Sequence, residues 1–180
     1  MGSSSSYNSS GTIQNQVYRY DVFISFRGPD TRNSFVDHLS SHLLRKGIFV
    51  FKDDHKLRKG KSISSQLPQA IRGSRISIIV FSKDYPSSSW CLDEMATIAY
   101  CQQQSNRTVF PVFYHVDPSH VRHQNGVYEK AFDSLRKKFK GDADKIYRWE
   151  RAMNEFGQLA GWDVRNKYVL AMVLLSVFYI

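Results

Sequence analysis

One hundred and eighty residues leave room for one domain and short tails, and hardly for two. The content, 42% apolar and 14% aromatic, is enough for one sizeable core. The formal charge of +9 favours nucleotides, nucleic acid or an acidic membrane surface as partners. Its basic residues cluster at 52–61 and 136–140, where a solvated face and a binding face read alike.

Residues 1–17 are mostly Ser, Asn, Gln and Gly, with too little apolar surface to offset ordering entropy, and are expected to be a disordered arm. Met1-Gly2 followed by Ser6 fits the N-myristoylation pattern, and a Ser-rich leader fits as well. The start has neither the basic residues nor the apolar stretch of a signal peptide. Cys91 and Cys101 stand ten apart in one predicted helix, roughly 15 Å along its axis, too far for a disulfide. A reducing cytosol suits them, so the expected location is cytoplasmic or nucleocytoplasmic.

From Tyr18 the pattern is regular. Val22-Phe23-Ile24-Ser25-Phe26 predicts a strand buried on both faces. Asp30 or Thr31 then caps a helix with Phe35, Leu39 and Leu43 on one face, stopped at Gly47. Ile48 to Phe51 predicts a second strand, followed by a charged loop. Ser62 caps a helix carrying Ile63, Leu67 and Ile71, in which Pro68 removes a hydrogen bond. Ile76 to Phe81 is the third strand, and Ser89 opens a helix reaching about Gln103. Val109 to Phe113 is the fourth, its Pro111 pointing to an interruption or a nearby edge. Helices over Tyr128 to Phe139 and Asp144 to Ala160 precede a short fifth strand at Gly161 to Val164. Alternating strands and helices predict a parallel sheet covered on both faces. With right-handed crossovers this is a flavodoxin-like open five-stranded sheet, order 2-1-3-4-5.

Ligands of such sheets bind beyond the carboxyl ends of the strands, where three segments converge: 27–32 after the first strand, 52–61 after the second, 82–94 after the third. These segments carry a resemblance. Tyr20-Asp21-Val22-Phe23-Ile24-Ser25-Phe26-Arg27-Gly28 with Asp30-Thr31-Arg32 resembles the opening motif of plant Toll/interleukin-1 receptor homology (TIR) domains. Asp53-Asp54, Leu57, Gly60 and Ile63 resemble their mobile BB loop, and Ser87-Ser88-Ser89-Trp90-Cys91-Leu92-Asp93-Glu94 their catalytic helix start. Pro111-Val112-Phe113-Tyr114, Val116-Asp117-Pro118-Ser119 and Val121-Arg122 continue the series. The match covers about residues 18–166, and four ordered motifs are far more specific than any one.

The resemblance implies cleavage of NAD⁺ at the nicotinamide–ribose bond in plant immune and cell-death signalling, with NAD⁺ or NADP⁺ as substrate and no resident cofactor. A carboxylate stabilises the oxocarbenium-like ribosyl centre left as neutral nicotinamide departs. Trp90 and Glu94 share a helix face, whereas Asp93 is rotated about 100° away, so one of the two acids should face the pocket. The family pattern selects Glu94 as catalytic; on spacing alone an acid there merely favours the helix dipole. Trp90 either stacks on the ligand or covers the sheet edge; Cys91 either nears the reacting carbon or packs as a small hydrophobe. Arg27 and Arg32 reach phosphate or ribose oxygens beside Phe26 and Gly28, or Arg32 pairs with Asp30. Thr31 belongs to the same motif. Lys59, Gly60 and Ile63 belong to a loop that folds over the dinucleotide or is simply solvated.

Two departures stand out. Pro29 replaces an acid and stiffens the first loop. Asp37-His38 places a charge in a helix the family uses for homo-oligomeric or hetero-TIR assembly, where burial costs free energy unless the charge is paired; a weaker interface is expected.

The rival readings are a non-catalytic TIR–TIR docking module and a phosphoacceptor receiver, the latter lacking an acid pair after its first strand. Nucleic-acid processing is a secondary reading of the charge. His115, His120 and His123 read as solvated loop histidines, and no metal is expected. Residues 167–180 form an apolar tail too short to span a bilayer. It could replace a final helix, insert shallowly in a membrane, or be the translated end of a truncated transcript. The last is preferred, so deleting it is expected to raise solubility.

Overall fold

The computed structural model describes residues 17–52 and 63–164, together with 173, 174 and 177. Five parallel strands are ordered β2-β1-β3-β4-β5: β1 Tyr20–Phe26, β2 Val50–Lys52, β3 Ser74–Phe81, β4 Thr108–Phe113 and β5 Trp162–Asp163. This is the predicted flavodoxin-like order. Apolar side chains on both faces of the central strands make a two-sided sheet, and helices cover each side. On one face Phe23, Ile79, Phe81 and Phe113 pack under α3 Ile63–Arg72, α4 Ser89–Ser105, α6 Glu129–Lys138 and α7 Ala143–Gln158. On the other, Val22, Ile24, Ile78, Val80 and Val112 pack under α2 Asp37–Arg45 through Leu39 and Leu43.

Several boundaries move for local reasons. Helical structure begins at α1 Gly28–Thr31, with Arg27 as a cap residue that makes no side-chain cap bond. Asp30 does not cap because its carboxylate bonds across the sheet end to Ser82. A π-helical turn over Arg32–Val36 joins α1 to α2. The second strand starts at Val50 because Gly47, at φ +78°, turns the chain and leaves Phe49 68% exposed. The helix predicted from Ser89 is capped one residue earlier, by the Ser88 hydroxyl accepting from the Cys91 N–H. Pro111 lies in β4 just before the point where β5 begins pairing, at Val112 opposite Trp162. Pro68 lies inside α3.

A short helix, α5 Pro118–His123, occupies what reads as a loop in the sequence; the Asp117 carboxylate caps it through the Ser119 N–H. His120 and His123 therefore stand on a helix rather than a solvated loop, and His120 packs against Gly126. In the tail, the packing fits the alternative of a stretch buried in place of a final helix rather than the preferred one. Val173 and Val177, at helical positions one turn apart, are 0% and 6% exposed and join the cluster beneath β1, β3 and β4.

Candidate functional site

The carboxyl end of the sheet is built around one buried acid. Glu94 is 1% exposed. It sits in the second turn of α4, and each carboxylate oxygen has its own donor. Oε1 accepts from the Trp90 indole N–H at 2.9 Å, one turn back on the same helix face. Oε2 accepts from the Ser25 hydroxyl at 2.5 Å, near the end of β1. A carboxylate in so dry a place is tolerated only when hydrogen-bonded. The Ser25 hydroxyl also lies 2.9 Å from the Tyr85 phenol, which donates to the Cys91 carbonyl at 2.9 Å. Burial raises the Tyr85 phenol well above its ordinary value of 10.0, with smaller raising effects from Cys91 and Glu94. It is therefore a protonated hydrogen-bonding group throughout the neutral range.

Helix phase separates the neighbouring acids as the sequence implied. Asp93 points to α7, where the buried Trp149 indole donates to it at 2.9 Å and Lys145 pairs with it at 3.2 Å. Asp93 locks two helices together; Glu94 faces the strand ends.

The first loop is tied to the same rim. Arg27 bonds Asp30, whose second oxygen accepts from the Ser82 hydroxyl and the Asp84 N–H. Arg27, rather than Arg32, is thus the partner of Asp30. The Arg32 guanidinium lies over the Phe26 ring, 5.5 Å from its centroid, and against Gly28. A Cβ at Gly28 would stand 2.5 Å from an Arg32 guanidinium nitrogen, so the missing side chain makes room for the cation. Pro29 lies in the first turn of α1, where a missing N–H costs nothing. Thr31 is buried, its hydroxyl donating to the Arg27 carbonyl. Cys91 is buried with its thiol 3.5 Å from the Phe26 carbonyl. It packs as a small core residue, and Trp90 is partly buried against the same core.

Phe26, Arg27, Gly28, Asp30, Thr31, Arg32, Trp90, Cys91 and Glu94 therefore meet at one end of the sheet. Lys59 and Gly60 lie outside the described residues, and Ile63 opens α3. Ser25, Ser82 and Tyr85 went unremarked in the sequence. The available signal was a hydroxyl inside the apolar run Val22-Phe23-Ile24-Ser25-Phe26: a buried polar group needs a partner. Among the described residues, no group of three or more His, Cys, Asp or Glu is placed to hold a metal ion. Asp37 on α2 is paired with Lys52 at 2.6 Å, while His38 beside it is exposed.

Sheet order, two helical layers and an acid at the carboxyl end define a flavodoxin-like α/β domain with a site at its strand ends. The chain belongs to the TIR domain family, whose model matches residues 19–174. It is 48% identical over 168 residues to the disease resistance protein RPV1 of Vitis rotundifolia, covering 91% of this chain and 12% of that protein. It is 46% identical over 151 residues to the TMV resistance protein N of Nicotiana glutinosa, covering 83% and 13%. The chain thus spans about an eighth of the length of these relatives. Among solved structures it resembles the TIR domains of the activated Roq1 resistosome that recognises the pathogen effector XopQ, with a TM-score of 0.80 and 45% identity over 88% of this chain and 99% of that one.

Proposed function

We propose that this domain cleaves the nicotinamide–ribose bond of NAD⁺, with NADP⁺ as a second substrate, in plant immune signalling, and that Glu94 is its catalytic residue. The observation that carries the reading is the acid itself: a buried carboxyl group at the strand ends, held by donors from β1 and α4. Such a group is aimed before the reaction begins, so no reorganisation is needed when positive charge develops on the ribosyl carbon. The substrate reaches Glu94 by displacing the Trp90 indole, the partly exposed donor on Oε1. Arg27 and Arg32 supply cations for the phosphates, and Gly28 allows backbone approach.

Assembly belongs to the same reading. The Roq1 relative is described as a resistosome, and this chain associates with copies of itself or with other TIR chains through the face carrying Asp37 and His38. A cytoplasmic location fits the free cysteines. Nucleic acid and membrane surfaces are secondary partners suggested by the charge of +9.

The test is nicotinamide release from NAD⁺ across a dilution series, for the unaltered protein and for Glu94→Ala. The expected result is release that rises per molecule with concentration, is blunted by His38→Ala, and is absent in Glu94→Ala protein that still unfolds cooperatively. Undiminished release by Glu94→Ala removes the catalytic assignment. Activity per molecule that stays flat on dilution removes assembly.

A further inference from the structure

A second run of hydrogen bonds crosses the same sheet end, from the core out to the first loop. Tyr128, wholly buried, donates its phenol hydrogen to the Ser82 carbonyl at 2.7 Å. Burial, with smaller effects from Asp30 and Asp84, raises that phenol well above its ordinary value of 10.0, so it stays a donor at neutral pH. The Tyr85 N–H donates to the same carbonyl at 3.1 Å. Ser82 itself is buried, and its hydroxyl donates to Asp30 Oδ2 at 2.5 Å. The Asp84 N–H brings a further donor to that oxygen at 3.3 Å. Oδ1, on the other side of the carboxylate, accepts from Arg27.

We propose that Asp30 and Ser82 are positioning residues for the substrate's diphosphate, holding the Arg27 guanidinium at the rim of the site before the ligand arrives. The inference deepens the function proposed above and rests on it. Arg27 directly follows β1, two residues beyond the Ser25 hydroxyl that donates to Glu94. Its side chain is 27% exposed, against 14% for Asp30, so the acid is the inner partner and the cation the outer one. A guanidinium carries five N–H donors, and the contact with Asp30 is made by Nη1. A phosphate therefore does not have to displace Asp30. An unrestrained arginine spreads over many rotamers, and ordering it on binding weakens affinity. A carboxylate held from behind by Ser82 and the Asp84 N–H restricts those rotamers in advance.

Asp30 is also an anion close to where a phosphate would sit, and this gives its role a signature. With Arg27 present, the acid orients a cation and its own charge is neutralised. With Arg27 removed, the same acid is an uncompensated negative charge that repels the phosphate. Replacing Asp30 by Asn thus acts in opposite directions in the two backgrounds. A residue that merely supports the fold of the first loop weakens binding in both.

The experiment measures ADP-ribose binding to the full chain by NMR titration, which reads weak affinities as well as strong ones. ADP-ribose carries the diphosphate and lacks nicotinamide. The proteins compared are the unaltered chain, Asp30→Asn, Arg27→Ala and the double variant, with KM and kcat for nicotinamide release alongside. Asp30→Asn is expected to weaken binding by about 3–10-fold and to raise KM in step, with kcat moved less. In the Arg27→Ala background it leaves binding unchanged or tightens it. Ser82→Ala keeps both charges and weakens binding by a smaller factor, again only while Arg27 is present. Should Asp30→Asn fail to unfold cooperatively, Ser82→Ala with and without Arg27 decides by the same criterion. Binding that Asp30→Asn leaves unchanged or tightens while Arg27 is present overturns the proposal, as does equal weakening in both backgrounds. A protein that shows the expected pattern yet releases no nicotinamide keeps the positioning role and removes the proposed cleavage instead. An unaltered protein that binds no ADP-ribose removes both.

Discussion

Removal of residues 168–180 should destabilise this domain, the reverse of what the composition of that stretch suggests. Val173 and Val177 are 0% and 6% exposed and belong to the same buried cluster as Val22, Ile24, Ile76, Ile78, Val80 and Val112. Burying one valine contributes about 1.5–3 kcal/mol, so the pair contributes about 3–6 kcal/mol, an upper figure because unfolded chains already bury part of such surface. Domains are stable by only about 5–15 kcal/mol. The deletion also opens an apolar sheet face to water, which invites aggregation. At about 2–4 °C per kcal/mol for a chain of this size, the midpoint of thermal unfolding should fall by roughly 6–24 °C. A milder variant separates packing from chain length: Val173→Ala with Val177→Ala removes about 3 kcal/mol before any cavity cost. Both are read by thermal and urea unfolding of the full chain. A deleted protein that melts within about 2 °C of the unaltered one and is more soluble would refute the reasoning and restore the reading of a dispensable tail.

Other outcomes follow from the two acids and from the buried phenols. Asp93→Ala leaves the wholly buried Trp149 indole without its acceptor and should cost about 1–3 kcal/mol in urea unfolding, while nicotinamide release below the melting point persists; loss of release as complete as in Glu94→Ala would show that the two acids are not separated by helix phase. Tyr85 and Tyr128 have phenols raised well above 10.0, in each case chiefly by burial. Their stabilising contribution is fully present below the unfolded value near 10 and is lost as pH rises from there toward the folded values, because the unfolded chain gives up protons that the fold retains. Stability should therefore fall above pH 10 by about 1.4 kcal/mol per unit for each phenol, and Tyr85→Phe should reduce that slope; an equal slope in the variant would place the alkaline transition elsewhere.

The fold was legible because its strands are nearly continuous apolar runs between helix-period segments, a pattern that a parallel sheet covered on both sides produces and few alternatives share. What escaped was short or non-local. The six residues of α5 span too few turns to show a period, and only the Asp117-Pro118 pair marks its start. Asp30 looks like a cap in sequence because the competing donor, Ser82, is far away along the chain and adjacent only once β1 and β3 pair. Glu94 could be chosen over Asp93 only through the family motif, since spacing separates the two acids without saying which faces the strands. The tail was misjudged for a different reason. Burial in place of a final helix was one of three readings and not the preferred one, yet a stretch without a polar face suits burial, and a sheet with two apolar faces requires cover on both.

The pairing of Asp37 alters the expected energetics of assembly. Read from sequence, an aspartate on the α2 face carries a lone charge into any contact made there, and an unpaired buried charge is strongly unfavourable. In the fold, Lys52 at the end of β2 pairs with Asp37 at 2.6 Å and reaches the Ser40 hydroxyl at 3.4 Å. A partner covering this face would bury a neutral pair already formed within the chain. Its charges would lose solvation, but neither would be left without a counter-ion, and the pair loses little further side-chain freedom because its geometry is set beforehand. The pair is still half exposed, 34% and 45% at the two side chains, so its contribution to the isolated domain is small. Its effect belongs to the assembled state. In any assembly that covers this face, the charge of Asp37 would therefore be buried with a counter-ion already in place.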